Sequence, residues 1–257
     1  MVRRLLPPLG LAAALLALWE AYVAASGIAP VILPAPSAVA KVMLAEAPKF
    51  LVHAWTTSIE VVVGFVLATA LGAALGVVIA LSRPAGAAIY PLIIAAQVMP
   101  KVAIAPLLII WLGFDLGPKI ALTTLIAFFP IVVNTVVGMG MVRRETYNLF
   151  LSLGATGLQI FWKLRVPAAL PVFFGGLKIA STLAVIGAVV GEFMGANAGL
   201  GYLLTVYVGN AGTVHAFAGI MYLTILGLCF FLLVVIVERL IVQPHLRTRV
   251  VAEAAQS

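Results

Sequence analysis

Charged residues are scarce in this chain. Its 257 residues include only 8 acidic and 15 basic side chains, 9% together, while 64% are hydrophobic. Soluble domains usually carry about 25% charged residues, so this chain has too little polar surface to dissolve as a globule. A bilayer suits it, because a spanning helix needs about 20 consecutive apolar residues. The excess of basic residues fits cytoplasmic loops beside anionic lipid better than it fits a nucleic-acid partner.

Residues that carry chemistry are also few. Cys229 stands alone, which excludes a disulfide within the chain, and the three histidines lack the spacing of metal ligands. The phosphate-binding loop G-x-x-x-x-G-K-[ST] does not occur, and no paired catalytic carboxylates or Ser-His arrangement support a membrane enzyme. We therefore expect no catalytic residue, no metal site and no cofactor on this chain.

Six hydrophobic stretches predict an all-α, polytopic bundle of six transmembrane helices. The chain is short enough to form one membrane domain over residues 1–257. The first stretch follows Arg3 and Arg4 as a signal peptide would, but Glu20 and Tyr22 occupy the place of a cleavage site. We expect it to be retained. The stretches run from about Leu5 to Ala25, Val61 to Leu81, Ala85 to Leu112, Ile120 to Val142, Pro167 to Gly191 and Ala216 to Val237.

Two connecting segments have features of their own. Residues 28–55 are mixed in character, and Ser37 there is placed to cap a short surface helix that ends near Glu46. A glycine-rich connection from Gly195 to Gly212 follows Glu192. Glycines recur every four residues at 187, 191, 195 and 199, and again at 72 and 76, which predicts close helix packing in lipid.

The third stretch is interrupted by Pro100 and Pro106. Prolines leave backbone carbonyls unpaired, and membranes tolerate this only against protein or a water-filled path. The third span is therefore a predicted pore wall, although a kink that only aids packing is the alternative.

Charges within spans usually face a cavity or a partner. Lys101 and Glu192 are accordingly pore candidates, and the alternative is that they pair with each other or reach the lipid headgroups. Lys178 is predicted to be structural, while Glu20 and Glu60 are predicted to be interfacial. The full set of pore-lining candidates is Gln97, Pro100, Lys101, Asn134, Glu192 and Asn197.

Basic residues predict the orientation. With both termini in the cytoplasm, ten Lys and Arg residues lie inside, three (Lys41, Lys49 and Lys119) lie outside, and Lys101 and Lys178 fall within spans. This distribution agrees with the positive-inside rule. The longest inward loop is then residues 143–166, which is also the most polar part of the interior.

This loop carries a recognisable pattern. Gly154 is followed after nine residues by Leu164-Arg165-Val166-Pro167. The pattern resembles the cytoplasmic sequence E-A-A-x-x-x-G…I-x-L-P of permeases in bacterial binding-protein-dependent ABC importers. It indicates a helix, a glycine turn and a second helix stopped by proline. The resemblance implies that an ATPase docks on Glu145, Asn148, Leu149, Phe150, Gly154, Ala155, Leu164 and Pro167.

The loop departs from the family pattern at one place. Asn148, Leu149 and Phe150 occupy the E-A-A positions, so the carboxylate is missing there, although Glu145 lies one turn earlier. The resemblance nevertheless covers roughly residues 33–239. It rests also on Gly64-Phe65, Leu81-Ser82-Arg83, Met99 to Leu107, Trp111 to Phe114, Phe129-Pro130-Ile131, Asn134-Thr135 and Gly195 to Tyr202.

The resemblance implies a type I ABC importer permease (MetI-like) fold that works as a homodimer in the bacterial inner membrane. Two cytoplasmic ATPase subunits would carry ATP and Mg, and a periplasmic or lipid-anchored binding protein would deliver substrate. Nitrate, sulfonate and taurine permeases are the most similar group, so a small anion is the expected substrate, although vitamin precursors and aromatic acids use similar permeases. An ATP-independent secondary transporter or channel is the alternative, although no inverted repeat is evident.

Overall fold

A computed structural model describes residues 2–242, and every regular element in that range is helical. The basic residues Arg247 and Arg249 lie outside the described residues, as do the side chains of Arg3 and Arg4. The helices are α1 (Val2–Ser26), α2 (Pro36–Ala45), α3 (Ala47–Leu81), α4 (Arg83–Val98), α5 (Ala105–Leu112), α6 (Leu116–Gly140), α7 (Arg144–Ser152), α8 (Gly157–Ile160), α9 (Val166–Phe193), α10 (Leu200–Gly209) and α11 (Thr213–Ile241).

Four helices are long and apolar enough to cross a membrane. They are α3, α6, α11 and the continuous helix Gly157–Phe193, which joins α8 to α9. A fifth candidate is α4 together with Lys101–Leu112, whose axes meet at 86°. The predicted break in the third stretch is therefore confirmed. The Gly10–Ser26 part of α1 is apolar but shorter than the other four.

The core of the bundle is formed by α3, α6 and α9, which approach one another at glycines. A Cβ atom at Gly64 would lie 2.5 Å from Thr123 on α6, and one at Gly76 would lie 2.5 Å from Thr135. On α9, Gly187 and Gly191 face the backbone of Thr123 and Lys119 in the same way. Close approach gains dispersion energy in lipid, where no hydrophobic effect drives helices together.

The predicted glycine seam is thus correct only in part. Gly187 and Gly191 lie on α9, but Gly195 and Gly199 follow its end and have φ angles of +138° and +117°. These two glycines shape a turn instead of a helix face. The connection that they begin is not irregular throughout, because α10 forms within it and packs on α9 and α11.

The segment before the second span differs from the prediction. The span begins at Ala47, not at Val61, so α3 is much longer than the uncharged stretch alone. Ser37 caps nothing, because Ala35 is the N-cap of α2; the Ser37 hydroxyl donates instead to Glu20 Oε1 at 2.7 Å. Nor is α2 only a surface helix, since Val39 is 4% exposed and packs in a cluster with Phe50 and Leu200.

Candidate functional site

The loop between α6 and α9 consists of two short helices, α7 and α8, joined by a glycine turn, and we call it the hairpin. After α7, Gly154 adopts a left-handed φ of +73°, as the sequence predicted. Two backbone bonds close the turn: the Gly154 N–H donates to Leu151 O, and the Ala155 N–H donates to Phe150 O, each at 3.0 Å. Thr156 and Gln159 then form a capping box that begins α8. The turn is therefore fixed by the backbone, and only glycine adopts its φ without strain.

The second helix of this hairpin does not stop at proline. It continues as a π-helical turn, Phe161–Arg165, directly into α9, where Pro167 occupies the first turn. Proline there has no N–H to donate, and a widened turn keeps its ring clear of the preceding carbonyl. The prediction that proline ends this helix was wrong. The second helix of the hairpin is therefore continuous with a candidate membrane-spanning helix.

The hairpin exposes apolar side chains on both of its helices, α7 and α8, and on the turn that follows α8. Leu149 is 56% exposed, and Leu151, Leu153, Leu158 and Trp162 are 50–75% exposed. Of the other predicted coupling residues, Glu145, Asn148 and Gly154 are exposed, and Phe150, Ala155, Leu164 and Pro167 are half-buried. Sequence reasoning missed Leu153, Leu158 and Trp162. An exposed apolar cluster on an otherwise polar loop is typical of a surface that a protein partner covers.

A second group of polar residues connects the first half of α3 with the end of α9 and the start of α10. Three successive backbone N–H groups at the start of α10 each donate to a side chain. Gly199 donates to His53 Nδ1 at 3.0 Å, Leu200 donates to Thr57 Oγ1 at 2.9 Å, and Gly201 donates to Glu192 Oε2. The Thr57 hydroxyl itself donates to Glu192 Oε1 at 2.6 Å. We name these three side chains, His53, Thr57 and Glu192, the latch.

The latch explains the glycines in the connection. A Cβ atom at Gly199 would collide with the Glu192 carboxylate, and one at Gly201 would lie 2.7 Å from Glu192 Oε2. The first N–H groups of α10 have no carbonyl partner within the helix, and such groups favour a negative charge. The Glu192 carboxylate supplies that charge. Glu192 is 1% exposed and lies inside the protomer, and its role in a pathway stays a prediction.

A buried ion pair lies beside the latch. Lys119 Nζ is 3.0 Å from Glu60 Oε1, and the two side chains are 8% and 0% exposed. Lys119 was predicted to lie on the outer side and Glu60 at the membrane interface, and both placements stay predictions. The pairing of the two side chains inside the protomer was not predicted. The predicted alternative of a Lys101–Glu192 pair was wrong, because Glu192 is held by the latch. The sequence indicated part of this arrangement, because Thr57 and Glu60, three residues apart, lie on the same face of a helix.

The break in the third span gathers three of the predicted pore residues. Lys101 begins a short 3-10 helix, and its ammonium donates to Gln97 O at 2.8 Å while lying 4.7 Å from the Phe129 ring centroid. Gln97 and Pro100 are exposed. Lys101 thus caps the C-terminal end of α4, where carbonyls lack partners and a cation is favoured.

The remaining pore candidates lie elsewhere. Asn134 is half-buried, donates to Pro130 O at 2.8 Å and packs against Gly176 of α9. Asn197 is exposed in the connection that leads to α10. The pore-lining role of all six candidates stays a prediction. Only the group at the break combines exposure with a charge.

Comparison with known proteins defines the class. Residues 68–243 match the family model described as "Binding-protein-dependent transport system inner membrane component", and the chain belongs to this family. It is the membrane-spanning permease subunit of an ABC importer, not an enzyme, and the ATPase is a separate subunit. The alternative of an ATP-independent transporter or channel is thereby set aside.

Individual relatives cover most of the chain. It is 38% identical over 218 residues to the formylaminopyrimidine transport permease protein ThiX of Halalkalibacterium halodurans, covering 84% of this chain and 87% of that one. It is 36% identical over 242 residues to the riboflavin transport system permease protein RibX of Chloroflexus aurantiacus, with coverages of 92% and 90%. The putative aliphatic sulfonates permease SsuC of Bacillus subtilis is 29% identical over 219 residues, with coverages of 84% and 79%.

A solved structure confirms the fold class. A chain of the MetNI methionine ABC transporter, described in inward-facing conformations, superposes with a TM-score of 0.66 at 21% identity. The match covers 76% of this chain and 99% of that one. The MetI-like fold predicted from the loop pattern is therefore present.

Proposed function

We propose that two copies of this permease frame one pathway in the bacterial inner membrane, with both termini in the cytoplasm. Two ATP-binding subunits, which carry ATP and Mg, dock on residues 143–166, and a binding protein delivers substrate on the other side. The observation that carries this proposal is the exposed apolar hairpin surface of Leu149, Leu153, Leu158 and Trp162, which has no cover within residues 2–242. Apolar Leu149 and Phe150 would replace the missing carboxylate contact.

Copurification tests this arrangement. The permease is expressed with its ATPase, and the complex is sized by light scattering in detergent. We expect two copies of each subunit. Leu153→Asp with Leu158→Asp should release the ATPase, since it places two charges in an apolar contact. The matched control is Leu44→Asp, which alters another exposed leucine on α2, outside both the hairpin and α4. A stable permease monomer that binds no ATPase would contradict the proposal.

The break in the third span is the proposed pathway wall. No residue of α4 is buried within the protomer, and its axis turns by 86° into the following segment. A broken backbone needs water or a protein neighbour to pair its carbonyls, so lipid cannot cover it. A second copy with a water-filled pathway between the two arms satisfies this requirement and places Lys101 where an anion would pass.

One helix links the two ends of the protomer. Gly157–Phe193 runs unbroken from the hairpin to the latch, and 37 residues at about 1.5 Å per residue span about 55 Å. We infer that movement of the hairpin during the ATP cycle is transmitted along this helix to Glu192 and so to α10. Thr57→Val removes two hydrogen bonds of the latch at nearly constant volume and should change uptake without releasing the ATPase.

The substrate class rests on the relatives. A small sulfonate-, taurine- or nitrate-like anion agrees with the sulfonate and taurine permeases, at 28–29% identity, and with the Lys101 charge. Permeases named for formylaminopyrimidine and riboflavin are 36–38% identical, which favours a heterocyclic vitamin precursor as the second candidate. Thermal shift of the partner binding protein against taurine, nitrate, formylaminopyrimidine and riboflavin separates the two. A shift with either heterocycle and with neither anion would overturn the anion proposal.

A further inference from the structure

A cavity of about 490 Å³ lies between the end of α3, the start of α4, the end of α6 and the start of α7. Its inner walls are apolar and include Ile79, Val136 and Met139. Arg144, Arg165, Tyr90 and Tyr147 form its polar side. Arg144, Tyr147 and Arg165 belong to the segment 143–166 on which the ATPase is proposed to dock, but none of the coupling residues named above lines the cavity.

Among the residues that the structure describes, the two arginines in the cavity have no acidic partner. Within the described range 2–242, no carboxylate oxygen lies within 4.0 Å of either guanidinium group, and no Asp or Glu lines the cavity. The Arg165 guanidinium lies 5.5 Å from the centre of the Tyr147 ring, which positions it without neutralising it. The cavity therefore presents two positive charges and two phenol hydroxyls to whatever enters it. Arginine pairs bind phosphate oxygens well because the guanidinium offers several donors.

The position of the cavity limits the choice of ligand. Its apolar walls belong to the last turns of α3 and α6, which end at Leu81 and Gly140, and Arg144 begins the helix that follows. The apolar part thus faces the membrane interior and the cationic part lies at its surface. A molecule with an apolar chain and an anionic head matches this arrangement.

We propose that the cavity binds an anionic phospholipid, with its phosphate between Arg144 and Arg165 and its acyl chain along the apolar walls. The leaflet in question is the cytoplasmic one, which rests on the orientation proposed above. Basic pockets between spans on the cytoplasmic side are known to take such headgroups. Because Arg144 and Tyr147 belong to α7, the lipid would hold the first helix of the hairpin against α3 and α6.

Lipid binding to the permease alone tests the proposal. The purified chain in neutral detergent is titrated with phosphatidylglycerol or with phosphatidylcholine, and bound lipid is counted by native mass spectrometry. We expect phosphatidylglycerol to bind and phosphatidylcholine to bind at least tenfold more weakly. Arg144→Gln with Arg165→Gln should weaken phosphatidylglycerol binding about 30-fold, since each basic residue near an anionic lipid contributes about a factor of five.

A matched pair of variants controls for net charge. Arg83→Gln with Arg143→Gln removes two cations from the same end of the bundle, but neither residue lines the cavity, so binding should stay within twofold of wild type. Arg165→Lys, which keeps the charge, should retain most of the affinity. Size-exclusion profiles and melting temperatures without lipid show whether each variant is folded. Equal loss in both double variants would overturn the proposal by showing a diffuse charge effect.

Two further outcomes would overturn it in favour of another ligand. If inorganic phosphate at millimolar concentration displaces phosphatidylglycerol and raises the melting temperature equally, the cavity is a site for a small anion. If lipid binding is unaffected in Arg144→Gln with Arg165→Gln but ATPase copurification is lost, the arginines belong to the subunit interface. Since the binding measurement uses no ATPase and no substrate, its failure leaves the proposed transport function untouched.

Discussion

Replacing Lys119 by methionine would remove the cation that faces Glu60 and leave two buried carboxyl groups, those of Glu60 and Glu192, at the junction of α3, α6 and α9. Lys119 is 6% exposed, and its Nζ lies 3.0 Å from Glu60 Oε1. Removing one partner of a buried pair typically costs about 3–5 kcal/mol, because an uncompensated charge remains. We expect a loss of this size in the free energy of unfolding.

The reciprocal change should be milder. Glu60→Gln leaves an amide oxygen that still accepts from Lys119 Nζ, so the cation keeps a hydrogen-bond partner. The expected loss is about 1.5–3 kcal/mol, as for a hydrogen bond to a charged group. The double variant Lys119→Met, Glu60→Gln removes both charges of the pair and should lose less than Lys119→Met alone, since isosteric removal of a buried pair is often neutral.

Equilibrium unfolding in mixed detergent micelles, followed by circular dichroism, measures these values. Lys49→Met is the matched control, because Lys49 is 52% exposed in its side chain and only 3.9 Å from Glu46. A surface pair of that kind contributes about 0.3–0.5 kcal/mol. If Lys119→Met costs no more than Lys49→Met, or if the double variant is the least stable of the four, the buried pair does not exist as described.

Three other changes test the function. Gly154→Val should uncouple ATP hydrolysis from uptake in liposomes, because a β-branched residue is strained at the φ of +73° that Gly154 adopts. The control is Gly157→Val, which also has no neighbour within 4 Å but no left-handed φ, and it should not uncouple the two. Equal effects of the two variants would show that the turn is irrelevant. Lys101→Met should slow uptake with basal ATP hydrolysis intact, and Lys101→Arg should be milder; wild-type rates for Lys101→Met would leave this lysine only a helix cap. Thr57→Val should increase hydrogen exchange at Leu200 and Gly201; unchanged protection would refute the latch.

The sequence determined the elements that depend on local chemistry. Long apolar runs gave the positions of α6, α9 and α11 to within a few residues, because a spanning helix needs little more than length and low polarity. Pro100 and Pro106 predicted the break in the third span, and Gly154 predicted a left-handed turn, since each follows from the backbone of one residue. The extent of α3 was missed because its first residues are polar enough to resemble a loop.

Tertiary structure alone decided the partners of the buried polar groups. Lys119 precedes the apolar run of α6 and looks like a loop residue, yet Gly191 brings α9 close to its backbone, and Glu60 of α3 lies opposite. Glu192 was identified as a functional charge, but its hydrogen-bond partners are Thr57, 135 positions earlier, and Gly201, nine positions later. Burial makes an unpaired charge costly, so such groups must find partners, and which partners they find depends on how three helices cross. A linear pattern shows that a charge needs a neighbour, while only packing brings that neighbour within 3 Å.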